Sequence, residues 1–256
     1  MIRALISLSA MLMITWAGAM PHIVFILADD LGYGDLGVYN ANSRIPTPNL
    51  NRLAAEGVLF TDAHAAGSTC KPSRYGLLTG QQIFRAENNN DRAGPMISED
   101  VPTIADVLKE ANYRTAMVGK WHLGFDQKAE ETDAGGFRFA YDEPITGGPV
   151  DRGFDSFFGM HASLDIAPYF YIRNRIATAP MTGFTDGNKS DDHEEGWNRI
   201  QGAFWRSGPV AEDFIFADVS PRFTREAIKI IESHSDSSRP LFLFLAYPSP
   251  HTPWLP

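Results

Sequence analysis

Ser68-Thr-Cys-Lys-Pro-Ser-Arg-Tyr-Gly-Leu-Leu-Thr-Gly80 decides how the chain is read, because it holds the single cysteine of the 256 residues. Pro72, two residues after Cys70, has the fixed φ of a first helical residue. Ser73 to Thr79 can continue as a helix, and Gly80 is the residue type that ends one. Cys70 is therefore expected at or just before a helix N-terminus. Unpaired backbone N–H groups and the positive end of the helix dipole favour an anion there, and Arg74, one turn on, adds a fixed positive charge. The stretch is built to meet an anionic group. Taken without its neighbours, Cys70 reads more simply as a small apolar residue packed near a turn.

Upstream, His22 to Ala28 is a continuous apolar run that predicts a strand buried on both faces. It ends in Asp29-Asp30, two adjacent carboxylates that must be solvated, paired or metal-bound, at the end of a strand where α/β proteins bind ligands. Thr47-Pro48 reads as N-cap and first position of a helix carrying Leu50, Leu53 and Ala54 up to Gly57, and Val58 to Phe60 as the start of a short strand. His64, on the approach to Cys70, reads as structural. Downstream, Val101 to Ala111 predicts an amphipathic helix with Ile104, Val107 and Leu108 on one face, and Tyr113 to Val118 a strand. That strand runs into Gly119-Lys120-Trp121-His122-Leu123-Gly124, where alternation points Lys120 and His122 to the same side. Ser220-Pro221 caps a helix with Phe223, Ala227, Ile230 and Ile231 at helical spacing, and Leu241 to Ala246 is a further buried strand. A proline-rich loop, Pro248 to Trp254, follows it and contains His251. Strands alternating with helices give an α/β sandwich, a largely parallel sheet with helices on both faces.

Composition excludes several classes. With 44% hydrophobic and 21% charged residues the chain is an ordinary globular protein of one large or two small domains. A formal net charge of -9 without any basic run argues against nucleic acid as a partner. Residues 1–19 read as a signal peptide: Arg3, an apolar run from Ala4 to Trp16, and Ala17-Gly18-Ala19 as the cleavage site. The run is short for a membrane span, so the product is expected to be exported, periplasmic or secreted, and free of the membrane after cleavage. His161 to Tyr171, with Asp165, Tyr169 and Tyr171, and the acidic loop from Asp186 to Glu195 have a composition suited to a pocket mouth that binds sugar hydroxyls, or to a solvated loop. Asp191 to Glu195 lacks calcium-loop spacing. Asn188-Lys189-Ser190 matches a short and frequent glycosylation pattern.

Cys70-x-Pro72-Ser73-Arg74, followed by Leu78-Thr79-Gly80, is similar to the signature of the type I sulfatases. In that family a formylglycine-generating enzyme oxidises the cysteine to the catalytic aldehyde, Cα-formylglycine. The resemblance runs from about Pro21 to the last residue. It takes in Leu31-Gly-Tyr-Gly-Asp-Leu-Gly37 after the paired aspartates, Gly119 to Gly124, the Gly153-Phe154-Asp155 turn and the His251 loop. It implies an alkaline-phosphatase-like fold, with residues 20–256 as the N-terminal part of the catalytic domain. It further implies that Asp29, Asp30 and the modified Cys70 hold a calcium ion, that Arg74, Lys120 and His122 contact the sulfate and the nucleophile, and that His251 touches the bridging oxygen. Asp165 and Tyr169 are weaker candidates for substrate contact. The reaction implied is hydrolysis of a sulfate monoester, on a sulfated carbohydrate or an aryl sulfate, through a covalent sulfoenzyme intermediate. In the family a later Asp-Asn pair, a later lysine and a smaller C-terminal domain complete the enzyme, so these 256 residues alone are expected to turn over esters poorly or not at all. A phosphomonoester or phosphonate-ester hydrolase of the same superfamily, and a non-catalytic anion-binding pseudoenzyme, stay open as alternatives.

Overall fold

The structure, a computed structural model, describes residues 20–88, 94–131, 137–188, 204–235 and 237–254. The expected signal segment and the acidic run 191–195 lie outside the described residues. In chain order the elements are β1 (Ile23–Asp29), α1 (Pro48–Glu56), α2 (Cys70–Thr79), α3 (Ile104–Glu110), β2 (Arg114–Lys120), β3 (Ala129–Glu131) and β4 (Phe137–Phe139). They continue with β5 (Ser156–Met160), β6 (Ile172–Arg173), β7 (Ile176–Ala177), β8 (Gly183–Thr185), β9 (Gly208–Val210), α4 (Val219–His234) and β10 (Leu241–Pro250).

A six-stranded sheet in the order β1-β10-β2-β5-β6-β7 organises the molecule. Its first four strands are parallel, and β6 and β7 are antiparallel. The last strand of the chain lies between the first two, with Phe244 opposite Phe25 on one side and Met117 on the other. That insertion gathers the C-terminal ends of β1, β2 and β10, and with them Asp29, Lys120 and the loop after Pro250. Ligand sites of open parallel sheets form at this end. Close approach of β2 to β10 depends on Gly119, whose φ is +122° and whose Cβ, if present, would collide with the Ala246 carbonyl.

The core lies where β2, β10 and β5 meet α4. Phe154 stacks on Phe242 and Phe244, and Phe223 of α4 meets Phe158 and Tyr171 edge-on. All six are buried. Full burial of one such ring stabilises by about 1.5–3 kcal/mol. Helix α4 starts at Val219 with Asp218 as N-cap, two residues ahead of the expected cap Ser220, and β10 runs on to Pro250. Helix α3 has the reciprocal Thr103/Asp106 cap, yet it buries Ala105 and exposes Ile104 and Val107, two of the three residues expected on its inner face.

Strand β1 corrects the expectation of burial on both faces: Val24, Phe25 and Ile26 are exposed, Ile26 to 60%. β1 is the outer strand of the sheet and pairs along one edge alone, to β10. No residue of α1 is buried, Leu53 being 65% exposed, and Val58 to Phe60 forms no strand and stands open, Val58 to 80%. A strand there would need a partner, and none of the described strands pairs with that stretch.

Candidate active site

Helix α2 begins at Cys70 itself, with Thr69 as an extended N-cap. Pro72 thus stands third in the helix rather than first, which the first turn tolerates because its N–H groups have no intrahelical acceptor. Ser73 fixes the entry to the helix: its N–H donates to the Thr69 carbonyl at 3.2 Å and its hydroxyl to the Gly67 carbonyl at 2.6 Å. At the other end Gly80, with φ +68°, closes the helix through an N–H donated to the Gly76 carbonyl. Cys70 is therefore presented at a rigid helix N-terminus, partly buried.

Arg74 ties this helix to the sheet. It is buried, its Nη1 donates to the Lys120 carbonyl at 2.7 Å, and its Nη2 lies 3.3 Å from Asp29 Oδ1. The buried Lys120 ammonium pairs with the other oxygen, Asp29 Oδ2. One buried carboxylate is thus shared between two buried cations. Burial pulls both cations below their ordinary pKa, while Asp29 opposes it; Cys70 lies close enough to act on both through its field. Arg74 remains a cation at any physiological pH.

His122 joins the cluster by another route than strand alternation. The strand ends at Lys120, and His122 has φ +58°, with its N–H donated to the His161 carbonyl at 2.9 Å. Its ring is buried and its Nδ1 has no hydrogen-bond partner among the described residues. Burial first, then the charges of Lys120, Lys71 and Arg74, push its pKa far below the imidazole range. His122 is therefore neutral and can both accept and donate a hydrogen bond.

The two adjacent aspartates separate. Asp29 points inward to the cations, while Asp30, at φ +63°, turns out with its side chain 59% exposed. His251 lies over them. Its N–H donates to the Asp29 carbonyl at 2.9 Å, and its Nδ1 sits 2.8 Å from the Thr252 carbonyl, which places the ring proton on Nδ1. Its Nε2 then faces Asp30 Oδ2 at 3.7 Å, and Asp165 Oδ1 lies 4.0 Å from Nδ1.

Cys70, Arg74, Lys120, His122, Asp29, Asp30 and His251 are thus brought to one end of the sheet, and Asp165 borders them. Tyr169 is not presented to a ligand: its ring is buried against Phe214 and Phe216, and its hydroxyl donates to the Arg206 carbonyl at 2.7 Å. Burial and the nearby Asp165 push its pKa up to about 12. His64 is exposed and bonded to Asp62. Sequence reading missed Lys71, Ser163 and Arg206. Ser163, two residues before Asp165, has a buried hydroxyl without a hydrogen-bond partner among the described residues, and Arg206 pairs with Asp165 at 2.6 Å across 41 residues. No local pattern announces a partner that distant.

The expected calcium shell is only partly supplied. Asp29 and Asp30 are hard oxygen donors, but that ion takes about six to eight oxygens, and both Asp29 oxygens already face cations. Among the described residues, Cys70 included, no three or more His, Cys, Asp or Glu side chains are gathered to hold a metal ion. The donors fit in kind and fall short in number.

Residues 21–256 match the family model described as Sulfatase. The chain is 34% identical to an N-acetylgalactosamine-6-O-sulfatase of Bacteroides thetaiotaomicron over 92% of its own length and 49% of that relative. It is 32% identical to arylsulfatase G of Rattus norvegicus, over 91% of its length and 41% of the relative. Among solved structures, one from work on glycosaminoglycan metabolism by Bacteroides thetaiotaomicron superposes with a TM-score of 0.74 at 31% identity, covering 93% of this chain and 53% of that one. The chain therefore spans about half the length of the relatives it matches. It belongs to the sulfatase family.

Proposed function

We propose that the protein hydrolyses sulfate monoesters of a carbohydrate, with Cys70, converted to formylglycine, as nucleophile. The observation that carries this reading is the buried Arg74–Asp29–Lys120 cluster set against the N-terminus of the helix that begins at Cys70. Fixed donors and positive charge stand where a sulfuryl group would gather negative charge during transfer. That a relative is an N-acetylgalactosamine-6-O-sulfatase supports a sulfated amino sugar as substrate.

The aldehyde at position 70, hydrated to a gem-diol, attacks sulfur through one hydroxyl, and the bond from sulfur to the leaving oxygen breaks. Arg74 and Lys120 hold the equatorial sulfate oxygens. Neutral His122 accepts from or donates to the diol, and His251, acting as the imidazolium with a second proton on Nε2 beside the one held on Nδ1, gives the Nε2 proton to the leaving alcohol. Loss of the second hydroxyl's proton then expels sulfate from the covalent intermediate and restores the aldehyde. A serine or cysteine could accept the sulfuryl group but has no second hydroxyl with which to eliminate it. Calcium, held in part by Asp29 and Asp30, would supply further positive charge beside the nucleophile. No helix among the described residues is long and apolar enough to cross a membrane, and the reading of residues 1–19 supports export.

Mass spectrometry of the Cys70 peptide from the native host tests the modification. A loss of about 18 Da with reactivity toward a hydrazide supports it. Matched sulfate and phosphate esters, given to the protein as its native host makes it rather than to residues 1–256 alone, test the reaction: preference for sulfate, abolished by Cys70→Ala, is expected. Preference for phosphate overturns the substrate class, and ester binding without turnover places the chain with anion-binding pseudoenzymes.

A further inference from the structure

We propose that Arg206 is a specificity-determining residue that grips a second oxyanion of the substrate, a carboxylate or a further sulfate carried on a sugar ring beside the reacting one. This rests on the sulfate-ester reading and narrows it to acidic oligosaccharides. The guanidinium is placed by several contacts at once. Its Nη1 donates to Asp165 Oδ2 at 2.6 Å and to the Asp165 carbonyl at 3.0 Å, and its group lies 5.3 Å over the Phe204 ring. The backbone of Arg206 is fixed too, its N–H donating to the Asp165 carbonyl at 3.2 Å and its carbonyl accepting the Tyr169 hydroxyl.

The same contacts tie Arg206 to the catalytic histidine. Asp165 Oδ1 lies 4.0 Å from His251 Nδ1, and the Thr252 hydroxyl reaches the Phe204 carbonyl at 3.5 Å. The guanidinium thus stands one carboxylate away from the group that meets the leaving oxygen. Its side chain is 54% exposed, and only Nη1 is engaged in hydrogen bonds, so Nε and Nη2 have no hydrogen-bond partner among the described residues. Arg173 and Arg225 are also half exposed with one Nη engaged, but neither is tied to the His251 loop through its carboxylate; Arg175 and Arg222 differ in the fork itself. Arg175 closes both Nη1 and Nη2 on Asp151, and Arg222 closes both on Asp213. Unlike those two, Arg206 keeps a free edge of its planar fork, the edge that meets carboxylate or sulfate oxygens in pairs. Because the side chain is already ordered, little further entropy is lost when an anion docks.

Binding measured by calorimetry tests this without turnover, on the full chain carrying Cys70→Ala. Three ligands are compared: 6-sulfated N-acetylgalactosamine, the same sugar linked to a uronic acid, and the same sugar with a second sulfate. Arg206→Gln keeps a donor for Asp165 and removes the charge. It is expected to weaken one or both doubly charged ligands by about tenfold, as loss of a charge-assisted hydrogen bond does, and to leave the singly charged sugar within about twofold. Arg206→Lys recovers part of the loss. Whichever doubly charged ligand responds identifies the oxyanion. Equal weakening of all three ligands, or no weakening of either doubly charged one, overturns the role of Arg206 and leaves the sulfate-ester reading standing. Failure of the parent chain to bind the singly sulfated sugar overturns both.

Discussion

Phe25 and Phe244 sit opposite each other in register, their rings 5.6 Å apart, yet Phe25 is 37% exposed and Phe244 1%. One belongs to the outer strand and the other to the strand inserted beside it. On the β10 side β10, β2, β5 and β6 each have neighbours on both edges, and α4 lays Phe223 and Ala227 into the core. On the β1 side the pairing stops, and α1 with the segment to Phe60 shows its apolar residues to solvent. Apolar content is similar in the two regions. Position in the sheet, rather than composition, decides how much of it is buried.

The largest effects are expected where charge is buried between the two regions. Asp29→Asn leaves Lys120 and Arg74 in the interior without their shared counter-charge, and removing one member of a buried ion pair costs about 3–5 kcal/mol. Asp30→Asn, one residue on and turned to solvent, should stay within about 0.5 kcal/mol. Urea unfolding of both variants separates the two: equal losses would mean that the inward and outward carboxylates do not differ as their surroundings require. Next comes the aromatic pair itself. Phe244→Ala should cost about 3–5 kcal/mol as a core truncation. Phe25→Ala, half open to water, should cost under about 1 kcal/mol. A comparable loss from both would show that β1 is covered in solution.

Much of the site was legible before the fold. Asp29 to Asp30, Cys70 to Arg74, Lys120 to His122 and His251 each lie at the end of a strand or the start of a helix, and those ends are marked locally by glycine, proline and charge. Their convergence was not legible, because it depends on β10 slipping between β1 and β2. For the same reason the apolar run of β1 announced a strand without saying how many neighbours it has. Tyr169 and Arg206 show the limit from the other side. An aromatic in a polar loop reads as a ligand contact, and its burial follows from Phe214 and Phe216, more than forty residues away in sequence.

His161 sharpens the comparison through pH. Its ring stacks on Phe170, its Nε2 donates to the Pro168 carbonyl at 2.8 Å, and burial lowers its pKa to about 4. The unfolded chain binds this proton near pH 6.5, before the folded one does, so stability falls as pH drops from about 6.5 toward 4. Apparent unfolding midpoints across that range should show the decline in the parent and a weaker one in His161→Phe. An unchanged slope would assign the acid sensitivity to other groups.

The smallest effects belong to the open side. Helix α1 has nine residues and none buried, and a helix that short is marginal by itself. It is held at its start by Pro48 and by the Thr47 hydroxyl, which donates to Asn51 Oδ1 at 3.1 Å and accepts the Gly37 N–H at 3.0 Å. Its apolar side chains contribute little to that hold. Leu53→Gln and Val58→Thr should therefore shift stability by no more than about 0.5 kcal/mol, while lowering self-association and the binding of an apolar dye, because exposed apolar patches of this extent promote both. Light scattering and dye fluorescence read that change directly. A loss of more than about 1 kcal/mol from Leu53→Gln would mean that α1, and from Val58→Thr that the segment after it, is packed in solution, and either would close the difference between the two sides of the sheet on which the other expectations depend.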